Sequence, residues 1–487
     1  MHLSDSELFR CLQSFSKQEQ QEFTIWLKSV SGSKQILAAK LWDVLIDNKK
    51  HWKAEDFDLK HCHQLLFPNS TFKAQRLRDS MSLLYALAKD YLISKELKEE
   101  PEVSNRLLLQ QFRKRGLDKA HQVHLNRWQK SLTESSRRDN WWFYQQHLAV
   151  EAAEALVEER NVRRPKDLLQ ESINSLDVYY ISRKVQALCE MQNRSMIFRQ
   201  DYEQHLRTEI QSALTNENYL HLNEACISVY YRILKTFDEP DETDHFHRLL
   251  EEIAENAHSF TPEEARNLYR YAENYCIRKI NKSLPNWLEQ LFIIYEQLIR
   301  TKLILQKGQF PHTDFKNIVT VGLRLGKNNW VYQFIQENHL SLDESIRTNA
   351  YNYNLANYFY ETKEFDSVVE LLREVEFTDL FYEISSKYIL IKVYYELNEH
   401  FLLSYLITSL GRFISRNKEM SNTNKQAIQN FLALSKKLNR YQQDCSTRKL
   451  EQNRQWIRKI ELEIEKGKPT TNLPWIKTQL AQINESF

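Results

Sequence analysis

Glycine occupies only 7 of the 487 positions, and no other feature narrows the possible fold so far. That is about 1.4%, against about 7% in ordinary globular chains. Glycine supplies the φ > 0 corners of tight hairpins, β-bulges and phosphate-wrapping loops. A large sheet-containing enzyme needs many such corners. An array of helix–turn–helix pairs needs few, because Asn, Asp, Lys and Ser serve at its turns. The scarcity predicts an all-α chain. Hydrophobic residues at 42%, with aromatics at 12%, are enough for a continuous core, so disorder is not the default reading.

The periodicity agrees. Apolar residues recur at three- and four-residue spacing, beginning with Leu8, Leu12 and Phe15 and continuing with Phe23, Trp26 and Leu27. Ser16-Lys17-Gln18-Glu19 reads as a capping box at a helix start. Thr261-Pro262-Glu263-Glu264 and Ser341-Leu342-Asp343-Glu344 read as two more. Further helices are expected near 33–47, 54–66 and 71–97, with breaks at Pro68-Asn69-Ser70 and Glu99-Glu100-Pro101. The expected order is an N-terminal helical bundle (1–100), divergent helical hairpins (101–260), tetratricopeptide-like repeats (261–416) and a C-terminal helical cap (417–487). No Gly/Ser or Pro tract marks a linker.

The internal repeat is the strongest motif. Leu355-Ala356, Phe359, a turn at Thr362-Lys363-Glu364, then Val368 and Leu372 match the tetratricopeptide pattern, in which a small residue lets paired helices cross closely. Weaker copies flank it. Val331 to Val368 is 37 residues and Val368 to Ser404 is 36, near the ~34 of that unit. Positions expected to be small hold Val319 and Lys392, so the flanking copies diverge. The runs Asn274–Asn281 and Phe315–Val319, with the opening Leu8-Phe9, Leu12, Ser16-Lys17 and Glu19 and the closing Trp475-Ile476 and Leu480, resemble a bacterial family of uncharacterised tetratricopeptide-like proteins. The resemblance implies a helical-repeat fold and a cytoplasmic location, and it brings no substrate and no catalytic residues.

Signs of chemistry are sparse. No common nucleotide-binding, hydrolase or zinc-protease motif occurs. His61-Cys62-His63 places consecutive side chains about 100° apart on a helix, which suits helix-surface residues better than one metal. His121 and His124, with Asp118 a turn earlier, read as a solvated polar face, and His245-Phe246-His247 as the border of a helix start. Carboxylate pairs such as Glu158-Glu159 and Glu251-Glu252 point apart on exposed helices. Neither metal nor cofactor is expected. The scattered cysteines Cys11, Cys62, Cys189, Cys226, Cys276 and Cys445 read as reduced thiols, mostly buried. No signal peptide or membrane-length apolar run is visible, so a cytoplasmic protein is expected.

Charge balances overall at +2 but clusters locally. Between 106 and 138 nine basic residues face Asp118 and Glu134, for a local charge of +7, and Trp141-Trp142-Phe143-Tyr144 follows. Arg113, Lys114, Arg115, Arg127, Arg137 and Arg138 are candidate phosphate contacts beside aromatics able to stack on bases. The alternative is a solvated outer face over core aromatics. Basic residues also crowd 436–459, while Asp238, Glu239, Asp241, Glu242 and Asp244 make an acidic loop around Pro240. First-helix residues of the repeats, Lys316, Asn317, Thr320, Tyr353, Asn357 and Tyr360, are the candidate groove. Such a groove suits an extended peptide or the chain's own C-terminal segment, with Trp475 as anchor. The expected function is a non-enzymatic protein-interaction scaffold or adaptor holding a protein or peptide partner. The alternative is a helical-repeat protein that binds nucleic acid through 106–138.

Overall fold

The computed structural model describes residues 6–29, 33–48, 59–160, 168–198, 200–282, 284, 286–373, 380–417, 420–447 and 449–485. They form twenty-three α-helices and no sheet. The first eight are α1 (Glu7–Gln13), α2 (Lys17–Ser29), α3 (Ser33–Asp47), α4 (Leu59–Leu66), α5 (Ala74–Glu99), α6 (Pro101–Lys114), α7 (Asp118–Glu134) and α8 (Asn140–Arg160). There follow α9 (Leu168–Phe198), α10 (Arg207–Leu214), α11 (Ala225–Asp238), α12 (Asp244–Asn256), α13 (Pro262–Asn281), α14 (Trp287–Arg300), α15 (His312–Arg324) and α16 (Asn328–Asn338). The last are α17 (Arg347–Glu361), α18 (Phe365–Arg373), α19 (Leu380–Glu396), α20 (His400–Arg416), α21 (Asn422–Asp444), α22 (Leu450–Glu465) and α23 (Leu473–Glu485). No helix among the described residues is long and apolar enough to cross a membrane.

Two of the three expected caps form. Ser16 Oγ accepts the Glu19 N–H at 3.1 Å, and the Glu19 carboxylate accepts the Ser16 N–H at 2.8 Å, a reciprocal box that starts α2. Thr261 Oγ1 accepts the Glu264 N–H at 3.2 Å, with Pro262 as the first residue of α13. The third box does not form. Ser341 ends a one-turn 3-10 helix, its carbonyl accepts the Phe310 N–H at 2.8 Å, and α17 starts only at Arg347. A backbone pinned by a distant loop has no freedom to cap the nearest helix.

The helices gather into two compact units, Met1–Lys184 with Thr208–Glu224, and Val185–Arg207 with Ala225–Phe487. In the first, α5 touches each of α1, α2, α3 and α4 around a core that includes Phe9, Phe23, Trp42, Leu84 and Tyr91. Phe23 meets Trp42 edge-on at 5.1 Å, and the Trp42 indole donates to Thr24 Oγ1 at 2.8 Å. The hairpin of α6 and α7 packs with α8 in the same unit.

In the second unit each helix from α11 to α21 touches the next, and α11 touches α13, α15 touches α17, and α17 touches α19. Three successive hairpins close with one geometry. Gly326, Lys363 and Asn398 sit at φ 69°, 67° and 56° just past α15, α17 and α19. The next N–H in each case donates to the carbonyl five residues back: Lys327 to Gly322 at 3.0 Å, Glu364 to Phe359 at 2.9 Å and Glu399 to Tyr394 at 2.9 Å. Lys and Asn thus serve at turns where glycine is the usual choice. In α15 the close crossing falls at Gly322, where an added Cβ would lie 2.5 Å from Val331 Cγ2. It lies one turn beyond Val319, the position expected to be small.

Candidate protein-binding surface

The six residues expected to line a groove lie on the adjacent helices α15 and α17, but they are not all open. Lys316 and Asn317 are half-buried, and burial lowers the pKa of the Lys316 ammonium. Thr320 is exposed, with its hydroxyl donating to the Lys316 carbonyl at 2.8 Å. Half-buried Asn357 donates to the Tyr353 carbonyl at 3.0 Å. Tyr353 and Tyr360 are buried, which corrects their expected role as exposed contacts. Tyr353 packs edge-on to Tyr382 of α19 at 5.4 Å, and the Tyr382 hydroxyl lies 3.0 Å from His312 Nδ1 of α15. Aromatic side chains at these positions serve the seams between first helices.

The face therefore has two ends of different character. At the Tyr360 end the chain's own C-terminal helix packs against it. Trp475 of α23 meets Tyr395 at 5.3 Å and Phe431 at 6.1 Å, and Gln479 donates to Glu396 at 3.1 Å. Burial holds the Tyr360 phenol above its ordinary pKa and the neighbouring Lys392 ammonium below its own. At the Tyr353 end lies a cavity of about 600 Å³, lined by Leu380, Ile384, Ser385 and Tyr388 of α19, by Met420, Asn424 and Ile428 beside them, and by Thr471. Ser385 hydrogen-bonds the Tyr353 phenol, so the cavity adjoins the face built by α17. Its volume falls within the usual range for ligand pockets, and Met420 is a flexible, adaptable wall. None of the cavity residues was singled out from sequence. Leu380, Ile384 and Tyr388 at four-residue spacing were the available signal.

The basic segment does not make one surface. Arg137 pairs with the buried carboxylate of Asp139 at 2.5 Å. Arg138 donates to the Ser135 carbonyl at 2.7 Å and lies 4.2 Å over the ring of Trp142. Both arginines are thus engaged within the fold, against their expected phosphate contacts. Arg113, Lys114 and Arg115 are exposed at the α6–α7 turn and Arg127 is exposed along α7. The turn and the Arg137 end of α7 are about 25 Å apart, the length of a 17-residue helix. The aromatic run is also used internally. Trp141 donates to Glu102 at 3.0 Å, Trp142 to the Leu132 carbonyl at 3.0 Å, Phe143 is buried, and Tyr144 packs on Tyr179 at 4.8 Å.

The acidic loop is likewise matched locally. Asp238 pairs with Arg207, Glu239 with Lys235 at 3.0 Å and His245 at 3.1 Å, Asp241 with Lys279 at 3.0 Å, and Asp244 with Arg248 at 2.7 Å. Two histidine expectations need correction. His63 and Cys62 are buried, with His63 Nε2 accepting the Lys73 N–H at 3.3 Å. His121 is buried, and His124 lies 2.8 Å from Asn105 rather than on a solvated face. His245 and His247 do border the start of α12. No group of three or more His, Cys, Asp or Glu among the described residues could hold a metal. None of the six cysteines is in a disulfide, and four of them are buried.

One charged cluster was not foreseen. Arg266 and Glu273 of α13 are 4% and 6% exposed and meet at 2.7 Å, and Arg266 also reaches Asp314 of α15 at 3.1 Å. Burial pushes the Glu273 carboxyl up to about 7 against the pull of Arg266. Residues seven apart share a helix face, so their spacing on the apolar stripe of α13 was the available sign.

Compared with family models, with curated proteins and with solved structures, the chain matches none.

Proposed function

We propose that this chain is a non-enzymatic protein-interaction scaffold built on tetratricopeptide-like helical pairs, and that it holds an extended peptide segment of a protein partner. The pairs are α11/α12, α13/α14, α15/α16, α17/α18 and α19/α20. The contacts of each helix with the next, the first-helix contacts and the repeated turn at Gly326, Lys363 and Asn398 support that arrangement. The apolar cavity between α19 and the start of α21 carries the binding assignment. It is the open part of a first-helix face whose other end is covered by α23. An apolar side chain of the peptide would enter against Leu380, Ile384, Tyr388 and Met420. The rim offers Ser385, Asn424 and Thr471 as hydrogen-bonding groups for the peptide backbone.

A displayed library of random peptides tests this on the full chain. Selected sequences are expected to share one apolar anchor and to lose about tenfold or more in affinity to Asn424→Trp, which fills the cavity from its exposed rim. Selected peptides that bind Asn424→Trp as tightly as the parent chain would remove the cavity from the function.

A further inference from the structure

The outer face of α20 is a second surface, separate from the cavity. Phe401 is 82% exposed and Tyr405 69%, with Leu397 and Leu402 at 41% beside them. Exposed Ser404, Thr408, Ser409, Arg412 and Arg416 continue the same strip. Positions 401, 405, 408, 412 and 416 fall on one side of a 3.6-residue helix, over about 22 Å. Single exposed hydrophobics are common, but Phe401, Leu402 and Tyr405 at the start of α20, with Leu397 in the turn before it, together are an interaction signal.

The strip is chemically complementary to its own reverse. Turned end for end about the Thr408–Ser409 midpoint, Phe401 falls on Arg416, Tyr405 on Arg412, and Ser404 on Phe413. Each aromatic meets a guanidinium, and the small residues Thr408 and Ser409 sit where two helices would cross. Arg412 and Arg416 make no ion pair among the described residues. We propose that this face pairs with a second copy of the chain, α20 antiparallel to α20 about a two-fold axis at Thr408–Ser409. Such an interface is self-complementary, as a closed dimer requires. Four cation–π contacts form across it, Phe401 and Tyr405 of each copy under Arg416 and Arg412 of the other. Hydroxyl-bearing small side chains at the crossing let the axes approach to about 8–10 Å. A nucleic acid strand suits the strip less well: it offers two cations in 22 Å, about what two phosphates would use, and aliphatic Leu397 and Leu402 have no base to stack on.

Sedimentation velocity on the full chain tests the pairing. A contact based on one helix is at the small end of stable interfaces, so a monomer–dimer equilibrium in the micromolar range is expected. Phe401→Ala with Tyr405→Ala, and separately Arg412→Glu with Arg416→Glu, should each weaken the dimer about tenfold or more while leaving circular dichroism, and the melting curve at concentrations where the parent is monomeric, unchanged. Thr408→Cys should give a covalent dimer under mild oxidation, whereas Thr133→Cys, exposed on α7, should not. A parent chain that stays monomeric throughout the range overturns the proposal, including one that binds acidic peptides or oligonucleotides through this strip. A dimer that survives both double variants, or Thr408→Cys that cross-links no better than Thr133→Cys, overturns it too.

Discussion

The N-terminal bundle and the α11–α21 array bury their helices in opposite ways. In the bundle one long helix, α5, touches four others, and a shared aromatic core closes around Phe23, Trp42 and Tyr91. Its Lys95–Glu19 ion pair, at 2.8 Å, stays at the partly exposed margin, where the lysine's hydrogen bond holds the Glu19 carboxyl down at about 2. In the array each helix meets its neighbours along the chain, so the interior is a series of seams. Polar groups enter those seams, Arg266, Glu273 and Asp314 among them. The bundle gathers its largest aromatics into one core, though Ile25, Ile36 and Ile93 stay exposed on its outside. An array leaves first-helix and second-helix faces uncovered, and the cavity by Ile384 and the strip on α20 both lie on such faces.

If the seams of the array depend on buried charge, removing one partner should be costly. Arg266→Ala leaves the buried Glu273 and the half-buried Asp314 without their shared cation and is expected to cost about 3–5 kcal/mol, seen as lost hydrogen-exchange protection in α13. Phe23→Ala should cost a similar 3–5 kcal/mol in the bundle by opening a cavity, with protection lost in α2, α3 and α5. A cost under about 1 kcal/mol for Arg266→Ala would break the contrast.

Packing tolerance sharpens it next. Gly322→Ala forces a methyl against Val331 and should cost about 1–3 kcal/mol by denaturant titration. The pH dependence follows from Glu273. Its folded pKa lies near 7, above its ordinary 4.5, so the native state holds the proton more tightly than the unfolded chain. The stabilisation is full below about 4.5 and is withdrawn as pH rises through about 7. Glu273→Gln should flatten that part of the melting-temperature profile, and an unchanged slope would place the titration elsewhere. The smallest effect is expected at a turn. Lys363→Gly relieves a left-handed backbone and should stabilise by about 1 kcal/mol or less.

Much of the bundle was legible because its signals are local. Ser16 and Glu19 cap each other across three residues, and Pro101 starts α6 where the break was expected. The surfaces were less legible. Tyr353 and Tyr360 have the spacing of groove residues, yet their exposure depends on Tyr382 and on α23, which come from elsewhere in the chain. Arg137 and Arg138 look free in a basic run, but Asp139 and Trp142 take them up within a few residues. Ser341 satisfies the local rule for a cap and fails because Phe310 claims its carbonyl.

By itself the sequence determined the class of the fold. Seven glycines and a three-to-four-residue apolar rhythm leave helices as the structure that buries this much apolar surface while meeting its own backbone hydrogen bonds. It also set the turns, since Lys363 and Asn398 close hairpins by local bonds that need no distant partner. Tertiary structure alone decided which faces stay open, which charges meet, and that Gly322 rather than position 319 is the close crossing. Those depend on side chains far apart in the chain arriving at one place, and a helix's own periodicity says which side is apolar but not what will cover it.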